Sequence, residues 1–227
     1  RYFNTFMEKL RNLSEVEHRE VELQLRDTQM SALQAQINPH FLYNTLETIR
    51  FMIVMKDARA QDMVKYLADL LRISIGKGER YVRIKDELEH IKLYIAIQEM
   101  RYPERFTVRF DLDDEIRELY TIKFLLQPII ENAIHHGFEL VESGGIIEIS
   151  GSVEEGRLYL TVRDNGCGMS RAQLSRLKSQ LDGSSEGGSI GLPNVCARIR
   201  LHFGDEYNLQ IDSRPRQGTT VRLNLPV

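Results

Sequence analysis

Leu158-Tyr159-Leu160-Thr161-Val162-Arg163-Asp164-Asn165-Gly166-Cys167-Gly168-Met169 passes from strict alternation into a glycine-rich turn. Leu158, Leu160 and Val162 mark a strand with one buried face, and Asn165 with Gly166 supplies the positive φ that a tight turn needs. Taken alone, such a strand end also fits a plain turn. Further on, Gly188-Ser189-Ile190-Gly191-Leu192 opens a helix expected over Ile190 to Phe203. Glycine-rich helix starts are common, yet their exposed N–H groups suit a phosphate. Between the two glycine segments, Leu174, Leu177 and Leu181 predict a weak helix. The small, polar run from Asp182 to Ser189 predicts a mobile stretch, either a linker or a lid over a site.

Working outward, Leu125 to Gly137 has helical spacing, with Pro128 tolerable in its first turn. This helix carries Glu131, Asn132, His135, His136 and Gly137. Asn132 lies four residues before His136, so both can share a face. Asparagine is a poor helix former, so Asn132 among Ile129, Ile130, Ala133 and Ile134 should be coordinating something; capping or solvation of the helix end is the other possibility. Ile147, Ile149 and Val153 alternate before a turn at Glu155-Gly156, and the strand quoted above completes a hairpin. Thr107 to Leu112, Leu209 to Asp212 and Val221 to Leu225 add strands, the last two separated by a turn at Arg214 to Gly218.

The first half contrasts with this mixed layer. From Tyr2 to about Lys56 there is no glycine and one proline, which predicts a helix roughly 80 Å long if unbroken. Phe6, Leu10 and Leu13, then Met30, Leu33 and Ile37, form the narrow seam of a coiled coil or helical hairpin. A second helix is expected over Ala60 to Ile75, interrupted by Gly76 and Gly78, and a third from Ile84 to before Pro103. Within the long helix, Pro39 removes an N–H and forces a local break, after which His40 follows with Asn44 one turn on. Asn38 as a helix cap, Pro39 in a first turn and His40 merely exposed would satisfy the same residues.

Thirty basic and 33 acidic residues leave a net charge of −3, so neither nucleic acid nor an anionic membrane is implied as a partner. The two cysteines, Cys167 and Cys196, have no metal-ligand spacing and fit reduced thiols. No apolar run approaches the roughly 20 residues that span a bilayer. The chain opens at Arg1 in a charged, heptad-like stretch, so a further upstream region is expected.

Together, the segments resemble the ATP-binding domain shared by gyrase, Hsp90, MutL and histidine kinases. Glu131-Asn132-Ala133 matches its N box, Asp164 to Met169 its G1 box, Gly188 to Leu192 its G2 box, and Gly218-Thr219-Thr220 its last glycine box, over about Phe106 to Val227. The resemblance implies that Asn132 ligates Mg²⁺ and that Asp164 accepts from the adenine amino group. It implies nucleotide contacts from His135, His136, Gly166, Gly168, Met169, Gly188, Ile190, Gly191, Leu192, Thr219 and Thr220. His135 stands where that family usually has lysine, and an ordinary imidazole is mostly neutral at pH 7.

Gln34-Ala35-Gln36-Ile37-Asn38-Pro39-His40-Phe41-Leu42-Tyr43-Asn44 is similar to the phosphoacceptor motif of LytS/YesM-type sensor histidine kinases, as are Tyr94 to Tyr102 and Gly191 to Gly204. The expected fold is α+β, with a helical dimerisation and phosphoacceptor domain at 1–103 and an α/β-sandwich ATP-binding domain at 104–227. The resemblance implies ATP-dependent autophosphorylation of His40, transfer to a response-regulator aspartate, a homodimer, and an upstream membrane-anchored sensor that leaves this portion cytoplasmic. Many such kinases have an acidic residue directly after the acceptor; here Phe41 stands there, which makes Glu131 the candidate base and Asn44 a candidate orienting group. An ATPase clamp or serine-directed kinase on the same nucleotide fold, and a non-catalytic dimerisation module, are the competing expectations.

Overall fold

The computed structural model of this chain describes residues 39–75, 80–181 and 191–227. The expected seam from Phe6 to Ile37, the Asn38 cap, the interruption at Gly76 and Gly78, and the polar run with Gly188 and Ile190 lie outside the described residues.

Two helices open the described chain. Helix α1 (Pro39–Val54) starts at the proline, which needs no N–H partner in a first turn, and buries Phe41, Thr45, Ile49 and Met52 along one stripe. Helix α2 (Ala60–Ile75) buries Ala60, Met63, Leu67 and Leu70, as its spacing predicts. A short strand β1 (Tyr81–Arg83) leads into helix α3 (Ile84–Arg101), which has buried residues on nearly every side. A helix buried all round lies inside a core. Here α3 packs on α1 and α2 on one side and on the β-containing layer on the other.

That layer consists of β2 (Phe106–Asp111), a turn of helix α4 (Asp114–Arg117), β3 (Tyr120–Ile122), helix α5 (Gln127–Asn132) with a π-helical turn (Ala133–Gly137), and the hairpin β4 (Gly145–Glu154) and β5 (Arg157–Asp164). Helices α6 (Arg171–Leu181) and α7 (Leu192–Phe203) follow, then β6 (Asn208–Arg214) and β7 (Gly218–Pro226). Five strands form one sheet in the order β2-β4-β5-β7-β6, with β2 parallel to β4 and the other pairs antiparallel. The β4–β5 turn falls at Glu155 (φ 51°) and Gly156 (φ 74°), the two positive φ values of a tight hairpin.

Strand alternation decides what the sheet offers. On β5, Leu158, Leu160 and Val162 are buried, and the same period brings Asp164 onto that face at 6% exposure. On β7, Val221, Leu223 and Leu225 are buried, so Thr219 shares their face and Thr220 has the opposite one.

Buried polar groups join the two layers. Glu87 of α3 accepts from the backbone N–H groups of Phe124 (2.8 Å) and Leu126 (3.0 Å), which lead into α5. Arg198 of α7 donates to the Phe124 carbonyl at 2.9 Å, and Lys123 Nζ donates to Ile73 O at 2.8 Å, satisfying a carbonyl near the C-terminus of α2. Strand β1 pairs with β3, so the chain before residue 103 also hydrogen-bonds to the chain after it.

Two expectations need correction. The helix foreseen from Leu125 to Gly137 begins at Gln127 and changes its winding at Ala133, where Phe138 N–H bonds to Ala133 O at 3.1 Å. That bond spans five residues instead of four, so the helix widens. The helix foreseen from Ile190 begins at Leu192, because Gly191 has φ 143°, outside helical geometry. Among the described residues no helix is long and apolar enough to cross a membrane.

Candidate active site

The first box lies on α5 and the widened turn. Widening moves His135, His136 and Gly137 off the register of a continuous α-helix, and π turns of this kind recur at functional sites. Gly137 packs against the Asp164 carboxylate, where a methyl group would lie 3.2 Å from Oδ1. Arg105 fixes the end of the turn by donating to the Val141 carbonyl at 3.0 Å, the Glu139 carbonyl at 3.1 Å, and the Phe138 carbonyl.

The glycine turn after β5 closes over this helix. Asp164 Oδ1 accepts from Gly166 N–H (2.8 Å) and Thr219 N–H (3.2 Å), leaving Oδ2 for another donor. Burial pushes its carboxyl above the usual range, against the opposing pull of those two N–H groups. Asn165 takes no part in the pocket: its amide accepts from Ile146 N–H at 2.7 Å and donates to Gly144 O at 3.1 Å, stitching the turn to β4. Cys167 N–H bonds to Gly137 O at 2.8 Å, and Met169 N–H to Ser213 Oγ at 2.9 Å.

These elements enclose a cavity of about 410 Å³, lined by Asn132, His136, Gly137, Asp164, Gly168, Met169, Gly191, Leu192 and Thr219 among others. That volume is in the range of small-molecule sites. A methyl on Gly191 would lie 3.5 Å from Asn132 Nδ2, so the Asn132 amide faces the start of α7. A larger and more open groove of about 530 Å³ runs along the opposite face of the sheet and includes Thr220, Arg163 and Asp212; it contains neither Asn132 nor Asp164.

The expected acceptor, His40, lies on α1. His40 is exposed at its first turn, with Asn44 Nδ2 3.0 Å from His40 Nε2 and 3.2 Å from Nδ1. Donation to one ring nitrogen fixes the ring proton on the other. Phe41, directly after His40, packs on Tyr94 of α3 with ring centroids 5.0 Å apart. The Tyr94 hydroxyl is 3.3 Å from His135 Nε2. Burial pushes the His135 pKa down, and the charges of His136, Arg101, His40 and Arg105 lower it further, so the ring is neutral at pH 7.

Glu131 accepts from Gln127 Nε2 at 2.8 Å, and burial pushes its carboxyl up despite that bond. Its charge in turn helps to raise the Tyr94 hydroxyl, although burial is the larger cause.

The fold therefore brings Asn132, His136, Asp164, Gly168, Met169, Gly191, Leu192 and Thr219 to one cavity, with Gly166 packed behind it against Gly137. His135 turns toward α3, and Thr220 lies on the outer face of the sheet. Sequence spacing missed Tyr94, Gln98, Arg105 and Ser213, whose contacts all span more than 30 residues or depend on such a contact. The only sequence signal was the Tyr94 to Tyr102 stretch, which carries no box of its own.

Residues 28–106 match the family model described as histidine kinase, and residues 120–227 match that described as histidine kinase-, DNA gyrase B- and HSP90-like ATPase. Over all 227 residues the chain is 37% identical to sensor histidine kinase YesM of Bacillus subtilis (strain 168) and covers 38% of it. Sensor protein kinase HptS of Staphylococcus aureus (strain USA300) is 32% identical over 213 residues, 93% of this chain and 40% of that protein. The chain thus spans well under half the length of these relatives. The solved histidine kinase domain of the Erythrobacter litoralis EL346 blue-light activated histidine kinase matches with a TM-score of 0.50 at 17% identity, covering 88% of this chain and 91% of that one, which shows a shared fold.

Proposed function

This chain belongs to the YesM-type sensor histidine kinase family, and from that premise we propose that it uses ATP to phosphorylate His40 and then passes the phosphoryl group to an aspartate of a receiver-domain partner. What carries this proposal is the contact path from the acceptor helix to the N box: Phe41 on Tyr94 at 5.0 Å, and Tyr94 on His135 at 3.3 Å, three residues beyond Asn132.

In the proposed reaction an unprotonated ring nitrogen of His40 attacks the γ-phosphorus. The N–P bond forms as the P–O bond to ADP breaks, and ADP leaves with the electron pair. The adenine amino group donates to the free Oδ2 of Asp164. Asn132 offers one neutral amide oxygen beside Gly191, the kind of single protein ligand that a Mg²⁺ arriving with phosphates and waters accepts. When bound, that cation would offset the phosphate charge. After attack, the remaining ring proton must leave, and Glu131, held above the ordinary carboxylate pKa by burial, is the better matched base for it. Asn44 orients the ring before attack. The N–P bond is labile, which suits onward transfer to a carboxylate.

Incubation with γ-labelled ATP and Mg²⁺ should give acid-labile, alkali-stable label that disappears in His40→Gln. In the same assay Glu131→Gln should slow labelling while ATP still binds. Acid-stable label, or label that survives in His40→Gln, would sink the proposal in favour of an ATPase or a hydroxyl-directed kinase.

We propose further that the chain acts as a homodimer through α1. Tyr43 (74% exposed), Leu46 (49%), Phe51 (64%), Ile53 (62%) and Val54 (70%) are exposed on α1 outside its buried stripe, with Tyr43 and Val54 directly opposite it. A concentration of large exposed apolar side chains on one helix marks an interaction surface. A second copy supplies the same face about a two-fold axis. Sedimentation equilibrium should find a dimer that Phe51→Glu with Leu46→Glu converts to monomer. A monomeric wild type would end that proposal.

A further inference from the structure

Tyr94 is 1% exposed and touches both halves of the proposed reaction. Its ring carries Phe41, the neighbour of the acceptor, and its hydroxyl meets His135 of the N-box turn. Gln98, one helical turn on and fully buried, donates its Nε2 hydrogen to the Tyr94 oxygen at 3.0 Å, while its own Oε1 has no partner among the described residues. Either orientation of the amide leaves one Gln98 atom unpaired among the described residues, and the orientation in the structure aims Nε2 at Tyr94. With the Tyr94 oxygen accepting from Gln98, its O–H is free to donate to His135 Nε2, which leaves the ring proton of His135 on Nδ1.

We propose that Tyr94 is a positioning residue for phosphoryl transfer: its ring seats the first turn of the acceptor helix through Phe41, and its hydroxyl holds His135 as the Nδ1–H tautomer. The acceptor helix and the N box then share one reference, the rigid interior of α3. This rests on the proposed kinase activity for its kinetic consequence but not for the tautomer. A neutral ring held in this way ties the N-box turn to α3 in one fixed direction.

Tyr94→Phe keeps the ring on Phe41 and removes only the hydroxyl, so the variant should fold. Two readouts test it. In wild type, ¹⁵N NMR of the His135 imidazole should show an unprotonated Nε2 and a protonated Nδ1, and Tyr94→Phe should populate both tautomers. For labelling of His40, the variant should lose about 10- to 100-fold in kcat with KM for ATP unchanged, the scale of a small misplacement of reacting groups. A purely structural role would move KM or thermal stability together with kcat. Gln98→Met should show a weaker loss of the same kind. If wild-type His135 carries its proton on Nε2, the Gln98 amide is turned the other way and the inference fails, whether or not label reaches His40. Wild-type labelling with an unchanged kcat in Tyr94→Phe overturns it as well. Absence of wild-type label would instead count against the kinase proposal, with the tautomer still readable.

Discussion

Gly168→Ala is expected to destabilise the protein by more than about 3 kcal/mol and to remove ATP binding. Gly168 has φ 62°, which costs an alanine of the order of 1 to 2 kcal/mol on its own. The larger effect is steric. A methyl group there would be driven into the Arg214 carbonyl and onto the Gly218 carbonyl oxygen, both at the β6–β7 turn. That turn cannot retreat cheaply, because Thr219 N–H is bonded to Asp164 and Ser213 Oγ donates to Gly218 O at 2.9 Å. Displacing it also moves Met169, whose N–H is held by Ser213, and both Gly168 and Met169 line the cavity. Gly144→Ala separates the two contributions. Gly144 has φ 76° but nothing within 4 Å of the added methyl, so strain alone should cost about 1 kcal/mol with ATP affinity unchanged. Urea denaturation and calorimetric titration with ATP on both variants give the comparison. Equal losses for the two would show that backbone strain, not the close approach of the turns, is why glycine stands at 168.

How far the sequence revealed this architecture follows the range of the contacts involved. Helix α2 was legible to its boundaries because Met63, Leu67 and Leu70 repeat with the helical period and bury one face, which is local information. The β4–β5 hairpin was legible because Glu155-Gly156 is a local turn between alternating strands. Strands β1 and β3 were not, since three residues carry no measurable period and their pairing joins residues about 40 positions apart. The widened turn at Ala133 was equally hidden: Asn132 to Gly137 has acceptable helical spacing, and the contacts that accompany the extra residue in the winding, Gly137 on Asp164 and Arg105 on Val141 O, are long-range. Within the site, the residue types were readable but their directions were not. Thr219 and Thr220 sit side by side in one glycine box, yet strand alternation sends one to the cavity and the other to the far face. His135 looked like a phosphate contact by position, and its ring is bonded to an α3 tyrosine 41 residues away.

The second large effect is a loss of stability on acidification through His90. This ring is 2% exposed and packs on Phe124 at 4.9 Å. Ser74 Oγ donates to Leu70 O at 2.8 Å, so at 3.2 Å it can accept the Nε2–H of His90, and among the described residues His90 Nδ1 is left without a partner. A second ring proton would find no acceptor among the described residues, in a site where burial first, and the charge of Lys123 second, push the pKa down to about 4. The unfolded chain binds that proton near pH 6.5. The folded state is therefore favoured fully above pH 6.5 and loses stability as pH falls from there towards 4, where the loss levels off. Between pH 7.5 and pH 5 this amounts to about 2 kcal/mol. Glu87, Glu131 and Asp164 act in the opposite sense, because burial raises their pKa values and folding then takes up protons as pH falls. The total pH curve mixes these effects, so the measurement is a difference: urea unfolding of wild type and of His90→Phe at pH 7.5 and pH 5.0. The variant, which keeps a ring against Phe124 but cannot titrate, should lose about 2 kcal/mol less than wild type over that interval. Parallel losses would mean that the imidazole is protonated in the folded protein with the Ser74 contact intact, and that α2 meets α3 through a more open seam than the buried His90 ring requires.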